Sequence, residues 1–315
     1  MSLIEVTDVR KSFSVRKGGM LRGKRTTVDA VHGISLRVEQ GETVGYIGPN
    51  GAGKSTMIKM LTGILTPTSG TVQVAGLVPS RERVALARRI GVVFGQRSTL
   101  WWDLPLEDSF RLIHHLYRIP DERFRENFDR YVELLDMEGF LRTPVRQLSL
   151  GQRMRGELTA ALLHDPEILF LDEPTIGLDA VSKSTVRGFL EELNTSRGTT
   201  IILTTHDLED IERLCGRIVV VDDGRIGFDG SLEGLRSRMN ADRTLVVDLK
   251  DPVEALTLPG VRVTRVEGPR QWLAFPTTTS ASAVIAQVAS QADIVDLSLR
   301  EPDIADIVQQ VVSAG

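Results

Sequence analysis

Residues 1–239 read as an α/β domain with a helical insertion at about 97–165, and residues 240–315 as a small α+β domain. Three observations predict this. The apolar run Val44–Ile47 leads into Gly48-Pro49-Asn50-Gly51-Ala52-Gly53-Lys54-Ser55 and then into the helix-like KSTMIKMLTG. That spacing fits G-x-x-x-x-G-K-[ST], a phosphate-binding loop in its strand–loop–helix context. Two further apolar strands, in PEILFLDEP (166–174) and TTIILTTH (199–206), are each followed by a helical pattern, as in α/β proteins. Finally, the texture turns amphipathic and helical over 97–147, and the core pattern stops near Ser237–Asp242.

Composition sets bounds. The charged fraction of 25% is ordinary for a soluble chain, and the net charge of −4 carries no nucleic-acid footprint. Residues 240–315 hold ten acids and six bases, which leaves residues 1–239 neutral. Cys215 is alone, so no disulfide forms within the chain. No stretch approaches the roughly 18 apolar residues of a membrane span, and the N-terminus lacks a signal-peptide pattern. A role at a membrane therefore requires another chain to cross it.

The elements follow in order. LIEVTDV (3–9) alternates as a half-buried strand. RKGGMLRGKR (16–25) reads as an exposed basic loop inside a hairpin, and TVDAVHGISLRVE (27–39) as further strand. After the loop helix come a TPTSG turn, the strand TVQVAG (71–76), a helix at 80–90 and the strand GVVFGQ (91–96). In the insertion, 108–119 and 122–137 are amphipathic helices. Phe124, Phe128, Tyr131, Val132 and Leu135 share one face. His114 and His115 are adjacent and show no metal-ligand spacing, so both read as surface residues. Ser149 and Gln152 fit a capping box that opens a helix. RIVVVDDGRIGFDG (217–230) is a hairpin with Asp-Gly at its turn. The last domain reads as β-α-β-β-α-β-α, its first helix at PVEAL (252–256) and its last elements in 294–312.

The loop chemistry follows from residue type. Glycines let the backbone turn so that N–H groups face phosphate oxygens, and the helix N-terminus adds a positive dipole end. Lys54 reaches the β- and γ-phosphates, and Ser55 holds Mg²⁺. Asp172 and Glu173, closing a buried strand, supply a further magnesium carboxylate.

With Gln96, LSLGQ (148–152), GLD (177–179) and His206 in this order, residues 2–235 resemble the ATP-binding subunit of ABC transporters. The resemblance implies a P-loop NTPase fold of the ABC type and ATP and Mg²⁺ as ligands. It implies that Phe13 stacks on adenine, that Gly51, Gly53, Lys54, Ser55 and Thr56 bind phosphates and magnesium, and that Gln96 touches magnesium and the attacking water. It makes Asp172 a magnesium residue, Glu173 the general base or the group that positions the water, and His206 the switch histidine near the γ-phosphate. Ser149, Leu150, Gly151 and Gln152 then form the signature that reaches ATP on a second subunit, and Asp179 belongs to the loop that crosses the dimer. LSLGQ departs from the commoner LSGGQ, with Leu150 in place of a glycine.

The partners implied are transmembrane permease chains and a second ATPase subunit, with the protein peripheral at the cytoplasmic face of the membrane. LWWDLP (100–105), with Trp101 and Trp102, and the basic loop resemble a bacterial exporter subgroup. EPDIADIV (301–308) resembles the ending of drug-exporter ATPases. Export is therefore expected. An importer with a regulatory C-terminal domain is the alternative. A soluble ATPase acting on DNA or ribosomes lacks its expected coiled coil, zinc-cysteine set or second cassette.

Overall fold

β-branched and apolar residues alternate through the N-terminal hairpin, and that alternation builds the first sheet. In the computed structural model, which describes residues 2–17, 24–95, 98–238, 242–276 and 278–300, β1 (Ser2–Lys17) pairs antiparallel with β2 (Lys24–Glu39). Ile4, Val6, Val9, Ile34, Leu36 and Val38 turn inward and are buried. The ladder reaches Lys17↔Lys24, so the connection is narrower than the 16–25 loop expected from composition. Cross-strand backbone pairing holds the flanking basic residues in the strands. Residues 18–23 of that loop lie outside the described residues.

The second sheet carries the site. β3 (Thr43–Ile47) leads to α1 (Lys54–Leu61), and β4 (Ser69–Val74) joins β1 in the first sheet. α2 (Arg83–Ala87) is shorter than expected. Arg89 leaves the helix and forms a two-point pair with Glu167, at 2.6 and 2.8 Å. β5 (Ile90–Phe94) then precedes α3 (Leu106–Tyr117) and α4 (Asp121–Leu134), the two amphipathic helices of the insertion. Their apolar residues, including Phe110, Tyr131 and Leu135, pack into one core with α5 (Leu150–Leu162), while Phe124, Phe128 and Val132 flank it. β6 (Ile168–Asp172), α6 (Ala180–Arg197), β7 (Thr200–Thr204), α7 (Leu208–Leu214), β8 (Arg217–Asp222) and β9 (Arg225–Gly230) complete this unit.

The sheet order is β5-β6-β7-β3-β8-β9. Pairs β5–β6, β6–β7, β7–β3 and β3–β8 are parallel. β3 and β7 are buried at every position, as a parallel strand covered on both faces must be. Parallel register brings the C-terminal ends of β3, β6 and β7 to one edge, where open α/β sheets bind ligands. The β8–β9 turn has Asp223 and Gly224 both at positive φ, 39° and 69°, as the Asp-Gly signal requires.

The chain divides into two compact units, Met1–Asp229 and Gly230–Gly315. The division falls ahead of α8 (Leu232–Arg238), ten residues before the boundary read from composition. The second unit holds β10 (Asp242–Leu249), β11 (Arg262–Glu267), β12 (Arg270–Pro276), α9 (Ala281–Ala289) and β13 (Ile294–Arg300). Its antiparallel sheet runs β11-β12-β10-β13, and Leu245, Val247, Leu273, Phe275, Val284 and Val288 form its core. PVEAL is not a helix. Six residues between Pro252 and Pro259 cannot nucleate one, and the buried Gln271 side chain satisfies that segment instead. It accepts from Leu256 N–H at 3.0 Å and donates to the carbonyls of Val253 and Glu254. Residues 301–308, which carry the exporter resemblance, lie outside the described residues.

Candidate functional site

The phosphate loop is shaped by close packing. Gly53 sits at φ 93° as the residue before α1, and a Cβ there would lie 2.4 Å from the Ala30 carbonyl oxygen. Both conformation and space therefore demand glycine. No side chain of Gly53 caps α1, so its first N–H groups and positive dipole end remain available to an anion. Lys54 is 9% exposed. Its Nζ donates to the carbonyls of Gly48 at 2.7 Å and Pro49 at 3.0 Å. Burial lowers the Lys54 pKa from its ordinary value, while the Glu173 and Asp172 carboxylates act in the opposite sense. The ammonium thus stands in the field of both acids.

The two acids occupy the end of β6. Asp172 Oδ1 accepts from Thr204 Oγ1 at 2.6 Å and from Ser55 Oγ at 3.3 Å. Glu173 adopts φ 55°, a left-handed conformation that costs a non-glycine residue ~1–3 kcal/mol. Its N–H donates to both Thr204 oxygens, the carbonyl at 3.0 Å and the hydroxyl at 3.2 Å, and these bonds hold the strained turn. His206 Nδ1 lies 3.5 Å from Glu173 Oε1. Gly48, Asn50, Ser55, Asp172, Glu173 and His206 line one cleft of about 880 Å³.

Ser55 and Asp172 converge as hard oxygen donors, and this chemistry fits Mg²⁺. Among the described residues no group of three or more His, Cys, Asp or Glu could hold a metal. A cation here must draw its remaining oxygens from water and phosphate, as Mg²⁺ does.

Ser149 caps α5 as expected. Gln152 N–H donates to Ser149 Oγ at 3.2 Å, and Ser149 N–H donates to Gln152 Oε1 at 2.9 Å. Asp179 caps α6, accepting from Ser182 N–H at 2.9 Å and Ser182 Oγ at 2.7 Å, and these bonds lower its pKa. A Cβ at Gly151 would lie 2.2 Å from Ser182 Oγ, so the signature backbone packs directly on the Asp179 turn. Ser149, Leu150, Gly151, Gln152 and Asp179 form this second cluster, and none of them lines the cleft. Leu150 is 36% exposed.

Phe13 stands half-buried on β1 with Lys11 Nζ 5.1 Å above its ring, and it does not line the cleft either. Thr56 lies in the first turn of α1. Gln96 lies outside the described residues. Trp101 and Trp102 are exposed, at 41% and 52%. Trp101 lines a groove of about 270 Å³ with Ile64, Ile113 and Leu116.

Sequence reasoning missed Thr204 and Glu157. Thr204 reads as one more residue of a buried strand, yet it touches both acids. Glu157 is 5% exposed on α5 and accepts from Thr99 N–H at 3.1 Å and from the Ser98 and Thr99 hydroxyls. It anchors the segment that follows Gln96. A carboxylate on the buried face of an amphipathic helix was the available signal.

Residues 31–176 match the family model "ABC transporter". The chain is 36% identical over 287 residues to a daunorubicin resistance ATP-binding protein of Streptomyces coeruleorubidus, covering 88% of this chain and 89% of that protein. It is 33% identical over 236 residues to a methionine import ATP-binding protein of Enterococcus faecalis, covering 74% and 66%. Among solved structures it resembles a dimeric post-hydrolysis state of an ATP-binding cassette bound to ADP and Pi. That match has a TM-score of 0.62 and 26% identity, and covers 73% of this chain and 98% of that one. The phosphate loop, the paired acids and these likenesses together establish that the chain belongs to the ATP-binding subunits of ABC transporters and is an ATPase.

Proposed function

We propose that two copies of this chain clamp two ATP molecules, and that ATP hydrolysis in this clamp drives export through separate permease chains at the cytoplasmic face of a membrane. The observation that carries the clamp is the separation of two half-sites on one chain. Ser55, Asp172, Glu173 and His206 line the cleft, and Lys54 is bonded to the carbonyls of Gly48 and Pro49 in its lining, whereas Ser149, Gly151 and Asp179 form a cluster that does not line it. A capped helix N-terminus is itself an anion site, so the Ser149 end of one subunit suits the γ-phosphate held by the other.

Phosphoryl transfer asks for positioning and for stabilisation of spread negative charge. Lys54 exchanges its bonds to the Gly48 and Pro49 carbonyls for β- and γ-phosphate oxygens. The amides of Gly51, Gly53 and Thr56 cradle the same phosphates, and Phe13 stacks on the base. Ser55 and Asp172, with Gln96, hold Mg²⁺, which when bound neutralises charge on the β- and γ-oxygens. Glu173 orients the attacking water and takes its proton, and His206, beside Glu173, contacts the γ-phosphate. Loss of that phosphate removes the bridge between subunits, and the clamp opens.

Export is supported by the relative named for daunorubicin resistance and by the exposed Trp101–Trp102 pair beside the insertion. The apolar groove at Trp101 suits a permease segment. The relative named for methionine import supports the second reading, import with a regulatory C-terminal unit. Among the described residues no helix is long and apolar enough to cross a membrane, so the spanning part belongs to the permease. Everted vesicles carrying the chain with its permease test direction: export predicts ATP-dependent uptake of the cargo into the lumen. Uptake confined to right-side-out vesicles contradicts it.

A further inference from the structure

Asp210, in the first turn of α7, is fully buried and does not line the cleft. Its carboxylate is nonetheless tied to both walls of the hydrolytic pair. Oδ2 accepts from Thr175 Oγ1 at 2.5 Å and from Thr205 Oγ1 at 2.8 Å. Oδ1 accepts from Arg187 Nε at 2.6 Å. Thr175 lies two residues beyond Glu173, and Thr205 immediately precedes His206. Thr205 Oγ1 also accepts from Asp207 N–H at 3.0 Å, which fixes the turn on the far side of His206. One carboxylate oxygen therefore joins the turn after β6 to the turn after β7.

Arg187 anchors the arrangement from α6, the helix that begins at Asp179. Its guanidinium faces Asp207 Oδ1 at 2.9 Å, an ion-pair contact rather than an aligned hydrogen bond, and Glu209 Oε2 at 2.5 Å. Lys183 also pairs with Asp207, at 2.5 Å. Burying the charges of Asp210 and Arg187 costs solvation, and a buried ion pair is weak evidence for stability alone. A network with its hydroxyls and guanidinium aimed at one carboxylate does, however, define a unique geometry.

We infer that Asp210 is a positioning residue that sets the distance between Glu173 and His206 through the Thr175 and Thr205 hydroxyls. The inference rests on the reading of Glu173 and His206 as the hydrolytic pair. Displacement of a reacting group by about 1 Å can cost about 100-fold in rate, so loosening one of two tethers costs about tenfold.

The test uses the full chain, with ATPase turnover and ATP affinity measured separately. Thr175→Val and Thr205→Val keep side-chain volume and remove one hydroxyl each. Each lowers kcat about tenfold while the ATP dissociation constant stays within twofold, and Thr175→Ser, which restores the hydroxyl, returns kcat to within twofold of the parent. A merely structural role would lower the melting temperature and leave kcat unchanged below it. Should a valine variant be unfolded at the assay temperature, Thr175→Cys, with a weak S–H donor in similar volume, is held to the same limits. Glu173→Gln is run in parallel. Valine variants within twofold of the parent beside an inactive Glu173→Gln overturn the role of Asp210 and leave the hydrolytic pair standing. A normally active Glu173→Gln overturns the pair, and the inference with it.

Discussion

Thr204→Val isolates the hydroxyl that holds the two acids together. Thr204 is fully buried, and valine matches its volume. The hydroxyl makes two bonds, donating to Asp172 Oδ1 at 2.6 Å and accepting from Glu173 N–H at 3.2 Å. The second is largely replaced, because Glu173 N–H also reaches the Thr204 carbonyl at 3.0 Å. The net loss is one hydrogen bond to a carboxylate, worth about 1.5–3 kcal/mol. For a unit of this size each kcal/mol shifts Tm by about 2–4 °C, so calorimetry should find Tm lowered by about 3–12 °C. Asp172, left with Ser55 Oγ at 3.3 Å, is also freer to turn from the cation position. The Mg²⁺ concentration giving half-maximal ATPase rate should therefore rise about tenfold or more, since ~1.4 kcal/mol is a factor of ten. A Tm within 1 °C of the parent together with an unchanged Mg²⁺ dependence would refute the role assigned to Thr204.

Lys54→Ala removes the buried ammonium at the phosphate loop and should abolish nucleotide binding in a fluorescent-ATP titration; unchanged affinity would take Lys54 out of the site. Ser149→Ala deletes one half of the capping box, costing ~1 kcal/mol of stability by thermal melting, and should depress dimer turnover far more than ATP binding to the isolated subunit. Burial pushes the Cys215 thiol up to about 12. The unfolded thiol ionises near its usual value of about 8.5 while the folded one stays neutral. The unfolded state then binds fewer protons, and stability falls as pH rises from about 9 toward 12. The denaturant midpoint should drop between pH 8 and pH 10, and the drop should shrink in Cys215→Ala.

The main chain of the site was legible because its signals are local. An apolar strand, a glycine loop and a Lys-Ser pair are contiguous at 44–55, and β3, the loop and α1 form there. The acids at 172–173 end a strand whose apolar run is unmistakable. The capping box at Ser149 and Gln152 spans four residues and forms as read. What escaped depends on tertiary register. Thr204 meets Asp172 only because β6 and β7 lie parallel with those two residues opposite each other. The left-handed turn at Glu173 has no glycine to announce it. Asp210 sits in a short helical pattern where a carboxylate ordinarily marks the solvent face, and only the packed fold turns it inward. PVEAL has the composition of a helix, but the side chain that satisfies its backbone, Gln271, stands far along the chain.

In the proposed clamp, one cleft becomes a working site only when a second subunit closes on it. The direct measurement is the mass of Glu173→Gln in solution, with and without ATP and Mg²⁺, by light scattering. The variant loses the carboxylate proposed as general base, a role worth about 100- to 10,000-fold in rate, and so should retain its nucleotide. A closing clamp gives a 34.8 kDa species without ATP and twice that mass with it, reverting when ATP is removed. A variant that binds ATP with parental affinity and stays at 34.8 kDa at every protein concentration tested would contradict it.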